Sequence, residues 1–241
     1  MDYTIEWHDR LGSTNAAIRE RIIAGKSIDS GLVIAARDQT GGRGRQDRRW
    51  VSPPNTNLCF SLYLESSAPL IQIPSFTMAA ALAVSEMLNA KGIRAAPKWP
   101  NDVLVEDRKI CGILSERVEH GTKRGIIAGI GLNVNMTADE ITAIDRPATS
   151  MLIERGEASD PARVLDELLP QLGFWISRWE CGGFEGIRDI WIERAGPIGK
   201  NLSVHDGGLR RSGLLAGFGK HGELLLETEA GLETIWSGEV T

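Results

Sequence analysis

The stretch DVLVEDRKICGILSERVEHGTKRGIIAGIGLNVN, residues 102–135, decides the fold predicted for this chain of 241 residues. Three of its runs are typical of strands: DVLVE, KICGILSERV and GIIAGIGLNVN. The turn EDRK joins the first two runs, which predicts a hairpin, and the turn GTKR precedes the third. Gly129 and Gly131 interrupt the third run, which indicates either a close approach of backbone to a ligand or a tight crossing in a sheet.

The residues before this stretch add strands and two helices. Strands are predicted over 4–7, 31–36, 57–65 and 96–99, and the third of these places Leu58, Phe60, Leu62 and Leu64 on one face. Ser13-Thr14-Asn15 is a cluster of helix N-cap residues, followed by Ile18 and Ile22 on one helical face and by Gly25. A second, apolar helix is predicted over 74–91, because Pro74 suits a first turn and Gly92 ends the run.

The residues after it are helical and then change character. Asp160-Pro161 predicts a helix start, and Pro170 is predicted to kink or break that helix. Helical patterns continue to Ala195, and from Gly196 short strand patterns separated by glycines predict a small all-β module of about five strands. We therefore expect a domain over residues 1–195 and a second over 196–241.

Composition excludes several classes of protein. With 42% hydrophobic and 24% charged residues, the chain is typical of globular proteins and not of disordered, collagen-like or disulfide-stapled chains. No run of apolar residues approaches 18, and the first residues lack a signal-peptide pattern. The three cysteines are predicted to be reduced, buried small hydrophobes in a cytoplasmic protein. Four scattered histidines give no zinc-ligand spacing.

One loop carries the positive charge of an acidic chain. The net charge is −5, yet residues 37–49 hold five arginines and two aspartates, a net +3. Within them, GGRGRQDRRW at 41–50 sets glycines beside guanidinium groups, which favours binding of phosphate or carboxylate. An exposed basic loop or a nucleic-acid patch has the same composition. The sequence contains neither a Walker A motif nor a dinucleotide-binding glycine fingerprint.

A second candidate site is Lys98-Trp99-Pro100-Asn101-Asp102, at the end of a predicted strand. Lys98 offers a positive charge to an anion, and the oxygens of Asn101 and Asp102 suit Mg²⁺. An ordinary turn between strands would use the same residue types.

Taken together and in this order, the motifs resemble those of biotin protein ligases. The resemblance covers nearly the whole chain and rests on these motifs: STN at 13–15, QTGGRGR at 39–45, RRW at 48–50, KWPND at 98–102, KICGIL at 109–114, GIGLNVN at 129–135 and SGEV at 237–240. Unlike many relatives, this chain has Gln46-Asp47 after the last arginine of GRGR, so the loop lacks a glycine hinge and gains an acidic residue.

The resemblance implies a reaction and a fold. Family members activate biotin with ATP to biotinyl-5′-adenylate and transfer biotin to one lysine of a biotin carboxyl carrier protein, such as that of acetyl-CoA carboxylase. The implied fold is α+β, with a mixed sheet and flanking helices like the class II aminoacyl-tRNA synthetase core, followed by a small SH3-like β-barrel. Mg²⁺ is expected with the ATP phosphates, its protein ligands being left unassigned.

The resemblance also implies a role for each site residue. The catalytic residues are Arg43, Arg45 and Lys98. The biotin-binding residues are Ser13, Thr14, Asn15, Gln39, Arg43, Gly44, Arg45, Lys98, Gly112, Gly129 and Gly131. The nucleotide-binding residues are Arg45, Arg48, Trp50, Asn101 and Asn133.

Some properties and alternatives stay open at this point. The resemblance allows a monomer or a homodimer. We expect no DNA-operator binding, because the catalytic pattern starts at residue 5, and no membrane, because no apolar run approaches 18 residues. A lipoate–protein ligase shares the core fold but ordinarily lacks the GRGR and KWPND motifs. A non-catalytic biotin sensor or repressor and a nucleic-acid-binding protein are the other classes considered.

Overall fold

The computed structural model describes residues 1–121, 123–196 and 198–241. In this part of the chain, seven strands form the first sheet: β1 (Thr4–Leu11), β2 (Leu32–Gln39), β3 (Leu58–Glu65), β4 (Ala95–Lys98), β5 (Asp102–Val105), β6 (Arg108–His120) and β7 (Lys123–Leu132). Their order is β1-β2-β3-β7-β6-β5-β4. Since β1 and β2 are parallel and the other neighbours are antiparallel, the sheet is mixed.

Every strand predicted for this sheet is confirmed, and several are longer than expected. The hairpin between β5 and β6 is present, with Val105 opposite Arg108. β2 continues to Gln39, so the loop predicted from residue 37 begins later. The predicted turn at GTKR includes Thr122, which lies outside the described residues.

The two faces of the first sheet carry different sets of side chains. Leu58, Phe60, Leu62 and Leu64 lie on one face, as predicted, and belong to the main hydrophobic core. Because side chains alternate along a strand, the intervening residues of β3 lie on the opposite face. That second face carries a smaller apolar cluster near Tyr63 and, further along the strands, the glycines and polar residues of a cavity.

Six α-helices occur in the described ranges: α1 (Thr14–Ile23), α2 (Ile73–Ala90), α3 (Ala138–Ile141), α4 (Met151–Arg155), α5 (Pro161–Gly182) and α6 (Arg188–Ala195). The first begins as predicted, because Ser13 is its N-cap and accepts a hydrogen bond from the Ala16 N–H at 3.4 Å. Its buried Ile18 and Ile22 form part of the smaller cluster, whereas α2 and α5 cover the other face of the sheet.

Pro170 was predicted to kink or break its helix. The helix is not broken at Pro170, so that part of the prediction is wrong. The helix begins at Asp160-Pro161 as expected but runs on to Gly182. Apolar residues on both sides of the proline, including Leu165, Leu168 and Leu172, are buried in the core. This burial stabilises the helix beyond the lost backbone hydrogen bond, and Pro170 itself faces solvent.

A second, antiparallel sheet follows the last helix. Within the described residues it contains β8 (Asn201–Asp206), β9 (Leu209–Phe218), β10 (Leu224–Thr228), β11 (Gly231–Ile235) and β12 (Glu239–Val240), in the order β11-β10-β9-β8-β12. The predicted number of strands is confirmed, and Pro197, at the predicted boundary, lies outside the described residues. Phe218 packs edge-on against Trp191 at 6.1 Å, so both sheets share one hydrophobic core.

Two predictions from composition meet a different result. Cys59 and Cys111 are buried as expected, whereas Cys181 is exposed. The stretch Leu70–Ala90 is long and apolar enough to span a membrane by length and composition, although no unbroken apolar run predicted it. Of its most apolar window, 72% is buried inside the protein, which is what a core helix of a globular fold shows.

Candidate functional site

A cavity of about 790 Å³ lies on the second face of the first sheet. All of the residues assigned above to catalysis, biotin binding or nucleotide binding line it. They come from the start of α1, the end of β2, the loop after it, the inner strands of the sheet and the loop before β5. The second sheet contributes Gly238, Glu239 and Val240 to the wall.

The register of the strands builds the floor of this cavity. Gly131 of β7 lies opposite Gly112 of β6, and Gly112 lies opposite Asp102 of β5. Asp102 in turn lies opposite Lys98, the last residue of β4. A single row across four strands therefore has two glycines at one end and a lysine at the other. Absence of side chains at the glycines gives the cavity its depth.

The indole ring of Trp50 lies on the two glycines. A Cβ atom added at Gly131 would come within 2.4 Å of Trp50 Cε2, and one added at Gly112 would come within 3.0 Å of Trp50 Cζ3. Lys109 Nζ lies 5.8 Å from the ring centroid and 2.5 Å from Asp102 Oδ1. The two glycines thus leave room for the indole ring of Trp50, and Lys109 lies beside that ring in the cavity.

One end of the cavity is a network of neutral polar groups. The Thr14 N–H donates to Gln39 Oε1 at 2.9 Å, and Thr14 Oγ1 lies 3.1 Å from the same oxygen. The Ser61 hydroxyl, which is fully buried, lies 2.6 Å from Thr14 Oγ1 and 2.6 Å from Asn15 Oδ1. Ser13, the helix cap, borders the same end.

The side chain of Asn15 is held at both ends. Its Nδ2 donates to Glu116 Oε2 at 2.7 Å, and Arg19 Nη2 lies 2.7 Å from that carboxylate oxygen. A Cβ atom added at Gly129 would come within 2.4 Å of Asn15 Oδ1. Gly129 therefore leaves room for Asn15 as Gly131 leaves room for Trp50.

The other end is lined by arginines that contact the second sheet. Arg45 Nη1 donates to Asn101 Oδ1 and to the Gly238 carbonyl, both at 3.3 Å. Arg48 Nη2 donates to Glu239 Oε2 at 2.6 Å, and Glu239 Oε1 accepts from Arg146 at 3.2 Å. Glu239 thus joins the arginine-rich loop to the loop before α4.

Burial and ion pairing shift the titration of these groups. The hydrogen bond from Arg48 lowers the pKa of Glu239, and the nearby charges of Arg146 and Lys98 act in the same direction. The same hydrogen bond raises the pKa of Arg48. Burial lowers the pKa of Arg45, although Asp102 and other carboxylates oppose this effect. A partly desolvated guanidinium interacts more strongly with an anion than a fully hydrated one does.

The basic cluster found in the sequence is divided by the fold. Arg43, Arg45, Arg48 and Arg49 line the cavity. Arg37 lies instead over the ring of Trp7, 5.2 Å from its centroid. The loop between them is compact: the Gly44 N–H donates to the Arg48 carbonyl at 2.7 Å, and Arg43 and Arg49 form an isolated β-bridge. The loop is therefore folded on itself, and its residues form part of the cavity wall.

Asn133 lies in the wall and is buried to 1% exposure. Its Nδ2 donates to the Thr149 carbonyl at 2.9 Å, and its Oδ1 accepts from Asn57 Nδ2 at 3.5 Å. Both ends of the amide are therefore engaged within the protein, and the side chain fixes the segment that leads into α4.

The charge of the cavity differs from that of the chain. Among its described lining residues, eight lysine and arginine side chains face four carboxylates. Sequence reasoning missed five lining or supporting residues: Arg19, Ser61, Glu116, Arg146 and Glu239. Ser61 carried one signal, because it is a polar residue in the middle of an apolar strand. The others looked like ordinary surface charges.

The comparisons with known proteins agree with this geometry. The family model "Biotin/lipoate A/B protein ligase family" matches residues 7–133. The bifunctional ligase/repressor BirA of Bacillus subtilis is 35% identical and aligns with 100% of this chain and 74% of its own length. The biotin–[acetyl-CoA-carboxylase] ligase of Paracoccus denitrificans is 33% identical over 96% of this chain and 97% of its own.

A solved structure agrees over the whole fold. The biotin protein ligase of Aquifex aeolicus in complex with biotin and ATP superposes with a TM-score of 0.79 at 28% identity, covering 98% of this chain and 97% of that one. The chain described here belongs to the biotin/lipoate A/B protein ligase family. It is a ligase whose mixed α/β fold, with a large mixed sheet and a second antiparallel sheet, is that of biotin ligases.

Proposed function

We propose that this protein is a biotin–[acetyl-CoA-carboxylase] ligase. It activates biotin with ATP to biotinyl-5′-AMP and transfers biotin to a specific lysine of a biotin carboxyl carrier protein. One observation carries the proposal: a single cavity joins a neutral polar end, at Thr14, Asn15 and Gln39, to a cationic end, at Arg45 and Lys98. Such a cavity suits a ligand with an uncharged polar head and a carboxylate tail beside a polyphosphate.

The charges of the cavity fit the first step. The biotin carboxylate attacks the α-phosphorus of ATP, a P–O bond forms, and pyrophosphate leaves. Both reactants are anionic, so cations must offset their repulsion and the charge that develops in the transition state. Lys98, Arg43 and Arg45 supply that charge, and Lys109 lies close enough in the cavity to contribute. No enzyme nucleophile is required, because the substrate provides it, and alignment of the two reactants supplies much of the rate.

Binding roles follow the two ends of the cavity. Ser13, Thr14, Asn15 and Gln39 hold the ureido ring of biotin. The loop residues Arg43, Gly44 and Arg45 and the lysine Lys98 hold its carboxylate end, and the glycines at 112, 129 and 131 allow close approach at the wall that Trp50 and Asn15 also form.

The nucleotide occupies the arginine-lined end. Arg45 and Arg48 take the phosphates, Trp50 stacks near the adenine, and Asn101 fixes Arg45. Asn133, which holds the Thr149 carbonyl, shapes the adenine side of the cavity. The arginine-rich loop closes over the adenylate and shields the mixed anhydride from water.

Mg²⁺ is part of the proposal as the partner of the ATP phosphates. Among the described residues, no three His, Cys, Asp or Glu side chains are grouped to hold a metal ion. The nearest oxygens in KWPND are engaged, since Asp102 pairs with Lys109 and Asn101 accepts from Arg45. The residues therefore fit an ion that would be held mainly by phosphate oxygens and would offset phosphate charge, and Asp102 would be the carboxylate of this motif available to it.

We also propose the finer architecture and setting. Residues 1–195 form a catalytic domain like the class II aminoacyl-tRNA synthetase core, and residues 196–241 form an SH3-like barrel. The protein acts in the cytoplasm on a carrier domain, without binding DNA or a membrane. It acts either as a monomer or as a homodimer. A gel-shift experiment with operator DNA tests the expected absence of repressor activity.

The decisive experiment incubates the protein with ATP, Mg²⁺, labelled biotin and a biotin carrier domain. Label on the carrier lysine is expected, and a carrier with that lysine changed to arginine is the matched control. Excess unlabelled lipoate separates the related lipoate–protein ligase activity: it should leave biotin labelling unchanged. Absence of label on the wild-type carrier, or efficient competition by lipoate, would overturn the proposal.

A further inference from the structure

Ser61 and Glu116 have no assigned role, yet they contact two of the residues proposed to hold biotin. Ser61 is fully buried on β3, and Glu116 lies on β6 with part of its side chain in the cavity wall. Asn15 lies between them, 2.6 Å from one and 2.7 Å from the other. A buried polar chain of this kind is costly unless each member is satisfied.

The charge of Glu116 decides the orientation of the Asn15 amide. An ionised carboxylate only accepts hydrogen bonds, so it must face Asn15 Nδ2 and not Oδ1. Arg19 Nη2 forms an ion pair with the same carboxylate oxygen at 2.7 Å. Asn15 Oδ1 is consequently turned toward the Ser61 hydroxyl, which is the O–H donor next to it.

This orientation propagates to Thr14. The Ser61 hydroxyl lies within donating distance of two acceptors, Asn15 Oδ1 and Thr14 Oγ1, at 2.6 Å from each. Gln39 Oε1 accepts from the backbone N–H of Thr14 at 2.9 Å and from the Thr14 hydroxyl at 3.1 Å, so the proton of that hydroxyl points to Gln39. With its proton directed to Gln39 and one lone pair directed to Ser61, Thr14 Oγ1 presents its second lone pair to the cavity.

We propose that Ser61 and Glu116 are positioning residues for biotin recognition. Through Asn15 they orient Thr14 Oγ1 as an acceptor for an N–H group of the cyclic urea, without touching the substrate. Ser61 donates to Thr14 and Asn15, and Asn15 donates in turn to the Glu116 carboxylate. This inference rests on the proposed function, because it assigns to Ser61 and Glu116 a role in the proposed biotin site.

The test uses steady-state kinetics of biotin-dependent pyrophosphate release in the full chain. Glu116→Ala and Ser61→Ala are each expected to raise KM for biotin about tenfold, equivalent to about 1.4 kcal/mol, with KM for ATP changed less than about twofold. Glu116→Gln is expected to lie between Glu116→Ala and wild type, because its amide oxygen still accepts from Asn15. Glu119→Gln is the matched control: Glu119 lies on the same strand and pairs with Arg117 outside the cavity.

The outcomes separate the possible failures. If wild type does not activate biotin, the proposed function is overturned, and the positioning role is overturned with it. If wild type is active but Glu116→Ala and Ser61→Ala keep the wild-type KM for biotin, the positioning role is overturned. Equal increases in KM for biotin and ATP, or a shift equal to that of Glu119→Gln, would indicate a merely structural role and also overturn it.

Discussion

Gly129 and Gly131 are two residues apart on the same face of β7, but they leave room for different side chains. Their replacement by alanine is therefore expected to affect the two substrates separately. Alanine at 131 places a Cβ atom 2.4 Å from Trp50 Cε2, whereas ordinary van der Waals contact begins at 3.4 Å, so the ring must retreat by about 1 Å. Alanine at 129 places a Cβ atom 2.4 Å from Asn15 Oδ1.

The size of the effect follows from the cost of overpacking. An added methyl group in a filled site costs about 1–3 kcal/mol, which corresponds to about a 5- to 150-fold change in an equilibrium constant. For Gly131→Ala we expect this change mainly in KM for ATP, since Trp50 is proposed to stack near the adenine. For Gly129→Ala we expect it mainly in KM for biotin, through displacement of Asn15.

The assay is pyrophosphate release with one substrate varied at a time. Gly182→Ala is the control, because an added Cβ atom there meets nothing within 4 Å and the residue does not line the cavity. In a Trp50→Ala background, Gly131→Ala should cause little further change in KM for ATP. Identical KM patterns for the two glycine variants, or full additivity with Trp50→Ala, would refute the reasoning.

The remaining predictions concern the cations and the contact between the sheets. Lys98→Ala should lower adenylate formation strongly while leaving the thermal midpoint unchanged, and wild-type rates would contradict its role. Arg45→Ala should loosen the adenylate, so that labelled biotin appears on random lysines detected by mass spectrometry. Trp99→Phe removes the 3.0 Å hydrogen bond from Trp99 Nε1 to the Gly222 carbonyl and should lower the free energy of unfolding by about 1–3 kcal/mol in urea titrations. The lowered pKa of Glu239 means that its pair with Arg48 stabilises the fold above the ordinary glutamate pKa and is lost as the pH falls through the lower folded value. In Glu239→Gln the thermal midpoint should therefore fall less than in wild type as the pH drops below 4.5, and the pair should contribute no more than about 1 kcal/mol because it is partly exposed.

Much of the fold follows from local patterns. Alternation along 57–65 predicted β3 and the face that packs on the core, and the serine cap predicted the start of α1. The prediction of a break at Pro170 was wrong because residues on both sides of it are buried against other elements. Local propensity does not include that burial, which depends on the position of the whole helix.

The residues predicted for the site line one cavity, but their contacts with one another were not predicted. Motif order assigned Trp50 and the glycines at 112 and 131, but not that the ring lies on them. Likewise, the charge of the arginine-rich loop was evident in the sequence, whereas the position of Arg37 over Trp7 was not. These facts depend on where the loop crosses the sheet.

The sequence by itself determined the strands, the helix caps, the glycines of the inner strands and the positive loop, because each depends on near neighbours in the chain. Only the tertiary structure decided which polar groups meet. Asn15 and Glu116 are 101 residues apart, and Arg48 and Glu239 are 191 apart. Their contacts exist because strand register and the packing of the second sheet bring them together, and no local pattern encodes that register for a charged residue at the rim of a cavity.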